Sequence, residues 1–74
     1  DPSLAAAWIS LGIALRVDGR LSDAEDCLRR AIELEPSNAT AFFNLGNALR
    51  ARRERWSEAA RAYRRALELE PTLD

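Results

Sequence analysis

A proline returns at nearly constant spacing along this chain of 74 residues, at Pro2, Pro36 and Pro71, and its neighbours return with it. Asp1-Pro2-Ser3-Leu4-Ala5 recurs as Glu35-Pro36-Ser37-Asn38-Ala39, and Glu70-Pro71-Thr72-Leu73-Asp74 opens a third copy. The intervals are 34 and 35 residues. Laying 5–38 over 39–73, with one residue inserted near Glu54, gives identity at about half of the positions. The closest block is Leu28 to Pro36 against Tyr63 to Pro71. A period of this length marks a repeat architecture, in which each unit leaves an apolar face for its neighbour to cover.

Inside each unit the apolar spacing is helical. Leu4, Trp8, Leu11, Ala14 and Leu15 follow the i, i+3, i+4, i+7 rhythm, as do Leu21, Ala24, Leu28, Ala31 and Ile32. No stretch alternates with period two, so strands are not expected. Asp18-Gly19-Arg20 breaks the first pair, with Gly19 suited to the left-handed conformation of a helix end. Ser22 and Glu25 have capping-box spacing. Pro36 closes one helix and precedes the next, with Ser37 or Asn38 as the cap. Four helices are predicted, near Ser3–Val17, Ser22–Glu35, Asn38–Arg52 and Ser57–Leu69.

These residues resemble the tetratricopeptide repeat. Its signature is an aromatic, Leu-Gly and a large residue in the first helix, then Ala, a large residue and Ala in the second, and a closing proline. The first copy supplies Trp8, Leu11-Gly12, Leu15, Ala24, Leu28, Ala31 and Pro36; the second supplies Phe42, Leu45-Gly46, Leu49, Ala59, Tyr63, Ala66 and Pro71. The departure is the second turn, where Arg52-Arg53-Glu54-Arg55 replaces Val17-Asp18-Gly19-Arg20 without a glycine and with one residue more. The resemblance implies an all-α fold of antiparallel helix pairs, a segment of a right-handed α-solenoid. It divides the chain into repeat one (5–38) and repeat two (39–73), with 1–4 the tail of a preceding repeat. The small residues stand where paired helices come close, and Trp8, Phe42, Leu28 and Tyr63 fill the space between them.

Composition narrows the chemistry. One cysteine, Cys27, and no histidine exclude a disulfide within the chain and zinc sites of the Cys/His type. Without histidine, acid–base catalysis falls to twelve carboxylates, all expected on solvated faces, caps or termini, so the chain is not expected to be an enzyme or to hold a cofactor or metal. Cys27 lacks a neighbouring base and is expected to be a small filler. Gly12 and Gly46 lie within helices rather than after strands, so neither forms a phosphate loop. Net charge is −1, which gives no bulk attraction to nucleic acid. The longest apolar run, Leu4 to Ile9, is six residues against the roughly 20 that span a bilayer. The arginines at 50, 52, 53, 55, 61, 64 and 65 are expected to form a solvated basic face.

In the resembled family the first helix of each pair lines a concave groove that holds peptides. By position, that face is Ala6, Ile9, Ser10, Ile13 and Val17, then Thr40, Phe43, Asn44, Asn47 and Arg50. The peptide-binding residues expected are Ile9, Ser10, Ile13, Phe43, Asn44, Asn47 and Arg50. Asn44 and Asn47 fall where the family carries asparagines that bond a ligand's main chain, and an amide both donates and accepts. Ser10 and Ile13 take the equivalent places in the first copy, and Ile9 and Ile13 stand where a lysine and an asparagine would clamp an acidic tail. The result is an apolar stripe of Ile9, Ile13, Val17 and Phe43, expected to be largely exposed in a lone monomer.

The expected function is therefore non-catalytic capture of a protein or peptide partner, with no nucleic acid or membrane, in a chain whose compartment is taken as the cytoplasm. The alternatives are a scaffold arm of a larger enzyme such as a glycosyltransferase and a consensus-like chain idealised for repeat stacking. A start at Asp1 without methionine suggests a piece of something longer. Self-association is expected as well, by head-to-tail stacking or domain swapping, since residues 1–38 carry net −3 and residues 39–74 net +2.

Overall fold

A computed structural model describes residues 2–72, with side chains from Leu4 onward; Asp1, Leu73, Asp74 and the side chains of Pro2 and Ser3 lie outside the described residues. The proposed tail at 1–4 and the last residues of the third proline motif therefore fall largely outside it. Four helices follow one another: α1 (Pro2–Val17), α2 (Leu21–Leu34), α3 (Ala39–Arg50) and α4 (Trp56–Leu69). No strand occurs among the described residues. The helices pack in adjacent pairs, α1 with α2 and α3 with α4, and the pairs join through α3, which lies against both α2 and α1.

The paired helices approach where the sequence has glycine. A methyl group on Gly12 would meet Leu28 Cγ at 2.8 Å, and one on Gly46 would meet the Tyr63 ring at 2.8 Å. Alanines at 24, 31, 41, 48, 59 and 62 complete the contact surfaces, and Leu28 and Leu49 are the largest fully buried side chains. Trp8, Ile13, Leu15, Ile32 and Tyr63 pack around them, each partly buried.

The first turn follows its glycine. Gly19 has φ +84°, and it is the one described residue with positive φ. The Gly19 amide donates to the Arg16 carbonyl at 3.0 Å and the Arg20 amide to Leu15 at 2.9 Å, the paired bonds of a Schellman motif. At the joint between the pairs, the Glu35 amide still bonds Ala31, and the chain then turns through Pro36. Asn38 caps α3, its side-chain oxygen accepting from the Ala41 amide at 3.1 Å. Its amide nitrogen donates to Glu35 at 3.0 Å.

The second turn solves the same problem without glycine. The extra residue allows one turn of 3₁₀ helix, Arg53–Arg55, in which no residue needs positive φ. The Trp56 indole N–H donates to the Arg50 carbonyl at 3.0 Å and satisfies one of the acceptors left at the end of α3. The Arg53 guanidinium lies 5.5 Å from the centre of the Trp56 ring. This insertion ends α3 at Arg50, two residues before the predicted limit, and starts α4 at Trp56.

One expected cap does not form. α2 begins at Leu21 with Arg20 at the N-cap position and no side-chain cap, so Ser22 lies inside the first turn and the Ser22–Glu25 box is absent. Both side chains face Arg52 instead. Its guanidinium donates to Glu25 at 2.7 Å and to Ser22 Oγ at 3.3 Å.

Candidate functional site

The expected groove residues occupy α1 and α3, which are neighbours. Their environments differ more than one stripe on a helix wheel suggests. Ile9 is buried at 7% exposure and belongs to the core, because α3 closes over that side of α1. Ile13, Phe43 and Asn47 are half-buried, while Ala6, Ser10, Thr40 and Arg50 are exposed. The expected open stripe of Ile9, Ile13, Val17 and Phe43 is thereby corrected. Only Val17, 75% exposed, stands clear of the fold. Phe43 packs against Tyr63, with ring centres 5.6 Å apart and planes tilted by 58°.

The two asparagines are held by bonds of opposite sense. Asn44, buried, donates its amide nitrogen to the Thr40 carbonyl of its own helix at 2.9 Å. That leaves its side-chain oxygen as the uncommitted group. Asn47 accepts at its side-chain oxygen from the Tyr63 hydroxyl at 2.5 Å, which leaves its amide N–H₂ uncommitted. One helical turn of α3 thus carries an acceptor and a donor, each oriented by a bond within the chain.

Three features lie apart from the expected groove face. Glu25 is a buried carboxylate, 6% exposed, contrary to the expectation that all twelve sit on solvated surfaces. It is paired rather than reactive, because Arg52 neutralises it across the two helix pairs. A sign of this was present: Glu25 stands between Leu21 and Leu28 within the apolar rhythm of α2. Cys27 is buried, as a filler should be. Burial, followed by Asp23 and Asp26, pushes its thiol above the ordinary range, away from the thiolate a nucleophile needs.

The third feature is a cleft of about 270 Å³ among α2, α3 and α4. Phe42, Leu45, Leu49 and Ala62 line it together with Arg29, Glu58 and Arg61. It shares no residue with the expected groove face. Arg29 and Glu58 pair at 3.6 Å, and Arg55 also bonds Glu58 at 2.9 Å. That bond, with the charges of Arg55, Arg29 and Arg61, holds the Glu58 carboxyl below its ordinary range. Among the described residues no three His, Cys, Asp or Glu side chains gather as metal ligands, and no helix is long and apolar enough to cross a membrane.

Four helices in glycine-spaced pairs match a family model described as tetratricopeptide repeat, over residues 9–73. The chain belongs to the tetratricopeptide repeat family. It is similar to Protein NPG1 of Arabidopsis thaliana, with 41% identity over 44 residues, covering 60% of this chain and 6% of that protein. It is also similar to the mitochondrial pentatricopeptide repeat-containing protein At1g09410 of Arabidopsis thaliana, with 39% identity over 56 residues, covering 76% of this chain and 8% of that protein. The tetratricopeptide chain thus spans under a tenth of the length of the curated relatives it matches. Repeats of this family are generally protein-interaction modules.

Proposed function

We propose that this tetratricopeptide segment, two repeats at 5–38 and 39–73, holds an extended peptide along the α1–α3 face and performs no catalysis itself. The observation that carries this is the pair of oriented amides on α3. An extended main chain offers N–H and C=O groups in alternation. The free oxygen of Asn44 matches a peptide N–H, and the free N–H₂ of Asn47 matches a peptide C=O. Such bonds recognise backbone whatever its side chains. Ser10 on α1 extends the polar contact, and Ile13 and Phe43 offer half-buried apolar surface for one or two anchoring side chains. Arg50, exposed at the end of α3, favours a peptide with an acidic residue there. Ile9 supports this surface from beneath rather than touching the ligand.

Selection of peptides from a display library against the chain tests the proposal. Peptides so obtained should bind the Asn44→Ala, Asn47→Ala double variant at least about five-fold more weakly, the loss of two net hydrogen bonds at about 0.5–1.5 kcal/mol each. Circular dichroism checks that the fold is retained. Undiminished affinity removes the asparagines from the mechanism. Tyr63→Phe should produce a smaller loss, since it releases Asn47 without removing it.

The small share of each relative that the chain covers favours a second reading, a scaffold arm within a larger protein.

A further inference from the structure

The cleft among α2, α3 and α4 takes no part in the α1–α3 groove, and it carries a chemistry of its own. Its walls come from both repeats and all lie within the chain, so its opening is a property of the joint between the repeats. The lining is apolar at its base: Leu45, Leu49 and Ala62 are buried and Phe42 is half-buried. In the register of the first repeat, Ala62 takes the place of Cys27, so a smaller side chain stands at this point of the second.

The charged side chains of the cleft are two arginines and one carboxylate, Arg29, Arg61 and Glu58. The carboxylate is already engaged. Glu58 accepts from Arg55 at 2.9 Å, closer than its 3.6 Å approach to Arg29. Arg29 therefore keeps donors to spare, and its side chain is 50% exposed. Arg61 is exposed and has no ion-pair partner among the described residues. One repeat earlier, the places of Glu58 and Arg61 hold Asp23 and Asp26, both acidic. The surplus of positive charge thus comes from a reversal of sign at Arg61, not from the repeat pattern.

Size selects the occupant. At about 270 Å³ the cleft lies just under the roughly 300–1,000 Å³ of pockets that enclose a free small molecule. It suits one large side chain whose parent stays outside. We propose that the cleft is a second docking site, taking a large apolar side chain of a partner peptide with an acidic residue beside it. The apolar side chain rests against Phe42 and Ala62, and the carboxylate is held by Arg29 and Arg61. An anchored apolar side chain with a charge-assisted bond next to it is the arrangement that concentrates binding energy in a small contact. The chain then has two binding faces, one reading main chain through asparagines and one reading side chains through arginines.

Amide NMR of the isotope-labelled chain, titrated with a capped peptide that places phenylalanine between two glutamates, tests this. Signals of Leu45, Leu49, Arg61 and Ala62 should shift together and saturate, and should do so equally in the Asn44→Ala, Asn47→Ala double variant. Replacing the peptide's phenylalanine by alanine, or its glutamates by glutamine, should weaken binding at least about five-fold, as should Arg61→Glu, which turns an attraction into a repulsion. Arg30→Glu makes the same change of charge outside the cleft and should leave affinity within about two-fold. Arg30 and Arg61 are both exposed, so helix content should hold in both variants. Equal losses in the two variants would overturn the proposal, as would shifts absent from the cleft. Binding abolished in the asparagine double variant would place the peptide in the groove instead. Tighter binding of free phenylpropionate than of the peptide would also overturn it, making the cleft a site for small carboxylic acids.

Discussion

Gly12 shows how a single side chain sets the distance between two helices. Helix propensity alone favours alanine there by about 1 kcal/mol. The added methyl would press on Leu28 at its branch point, and Leu28 is fully buried with nowhere to swing. Overpacking of this kind costs about 1–3 kcal/mol, so the clash outweighs the propensity gain. Gly12→Ala should lower stability by about 1 kcal/mol in urea unfolding followed by circular dichroism; an increase would mean that the α1–α2 contact is loose. This role was legible in the sequence because the glycine recurs, at Gly46, in the same place on an apolar helix face. Asn44 and Asn47 were legible as positions but not as bonds. Their orientation depends on Thr40 and on Tyr63 from another helix, and no periodicity encodes which amide atom is left over.

At the scale of helices and turns, the second turn departs most from the first, and it is also the part that ties the two pairs together. Arg52 reaches back 27 residues to Glu25 and stands 24% exposed over a carboxylate at 7%. Arg52→Ala strands that carboxylate away from water and should cost about 1–3 kcal/mol. Adding Glu25→Ala to it should recover part of the loss, because a missing pair costs less than a half-missing one. Thermal unfolding of both single variants and the double measures the coupling directly; strictly additive losses would show that the two residues act apart. The Gly19 turn and the Asn38 cap follow from local sequence signals, and so do the helix limits to within a residue or two, the end of α3 departing furthest. The Ser22–Glu25 cap does not form because α2 begins one residue early, at Leu21, and both side chains bond Arg52, a partner distant in the chain that local spacing does not record.

For the two repeats taken together, exposed apolar surface is the governing fact. A chain of this size buries only about 60% of the surface that its unfolded form exposes, and here Leu4, Leu11 and Leu67 remain about half exposed. Any partner that binds the folded form alone raises its stability by mass action. A peptide selected against the α1–α3 groove should therefore raise the melting temperature as its concentration rises, and should do so less in the Asn44→Ala, Asn47→Ala double variant; a melting temperature indifferent to the peptide would count against its binding the folded form. The repeat period made the all-α architecture plain before any coordinate was known. It did not reveal that Ile9 is buried, since the helix that covers it, α3, comes from the other repeat.

The bond between Glu25 and Arg52 also bears on how such a chain can change over time. Repeated units of one fold invite reordering, duplication and deletion, because each can stand in the other's place. Here they have stopped being spare parts. A chromosome that copied the first unit into second place would leave Glu25 buried beneath a glycine turn, and one that copied the second into first place would send Arg52 toward an alanine. Duplicating the first unit in place of the second would strand a buried carboxylate that only the second unit's arginine answers.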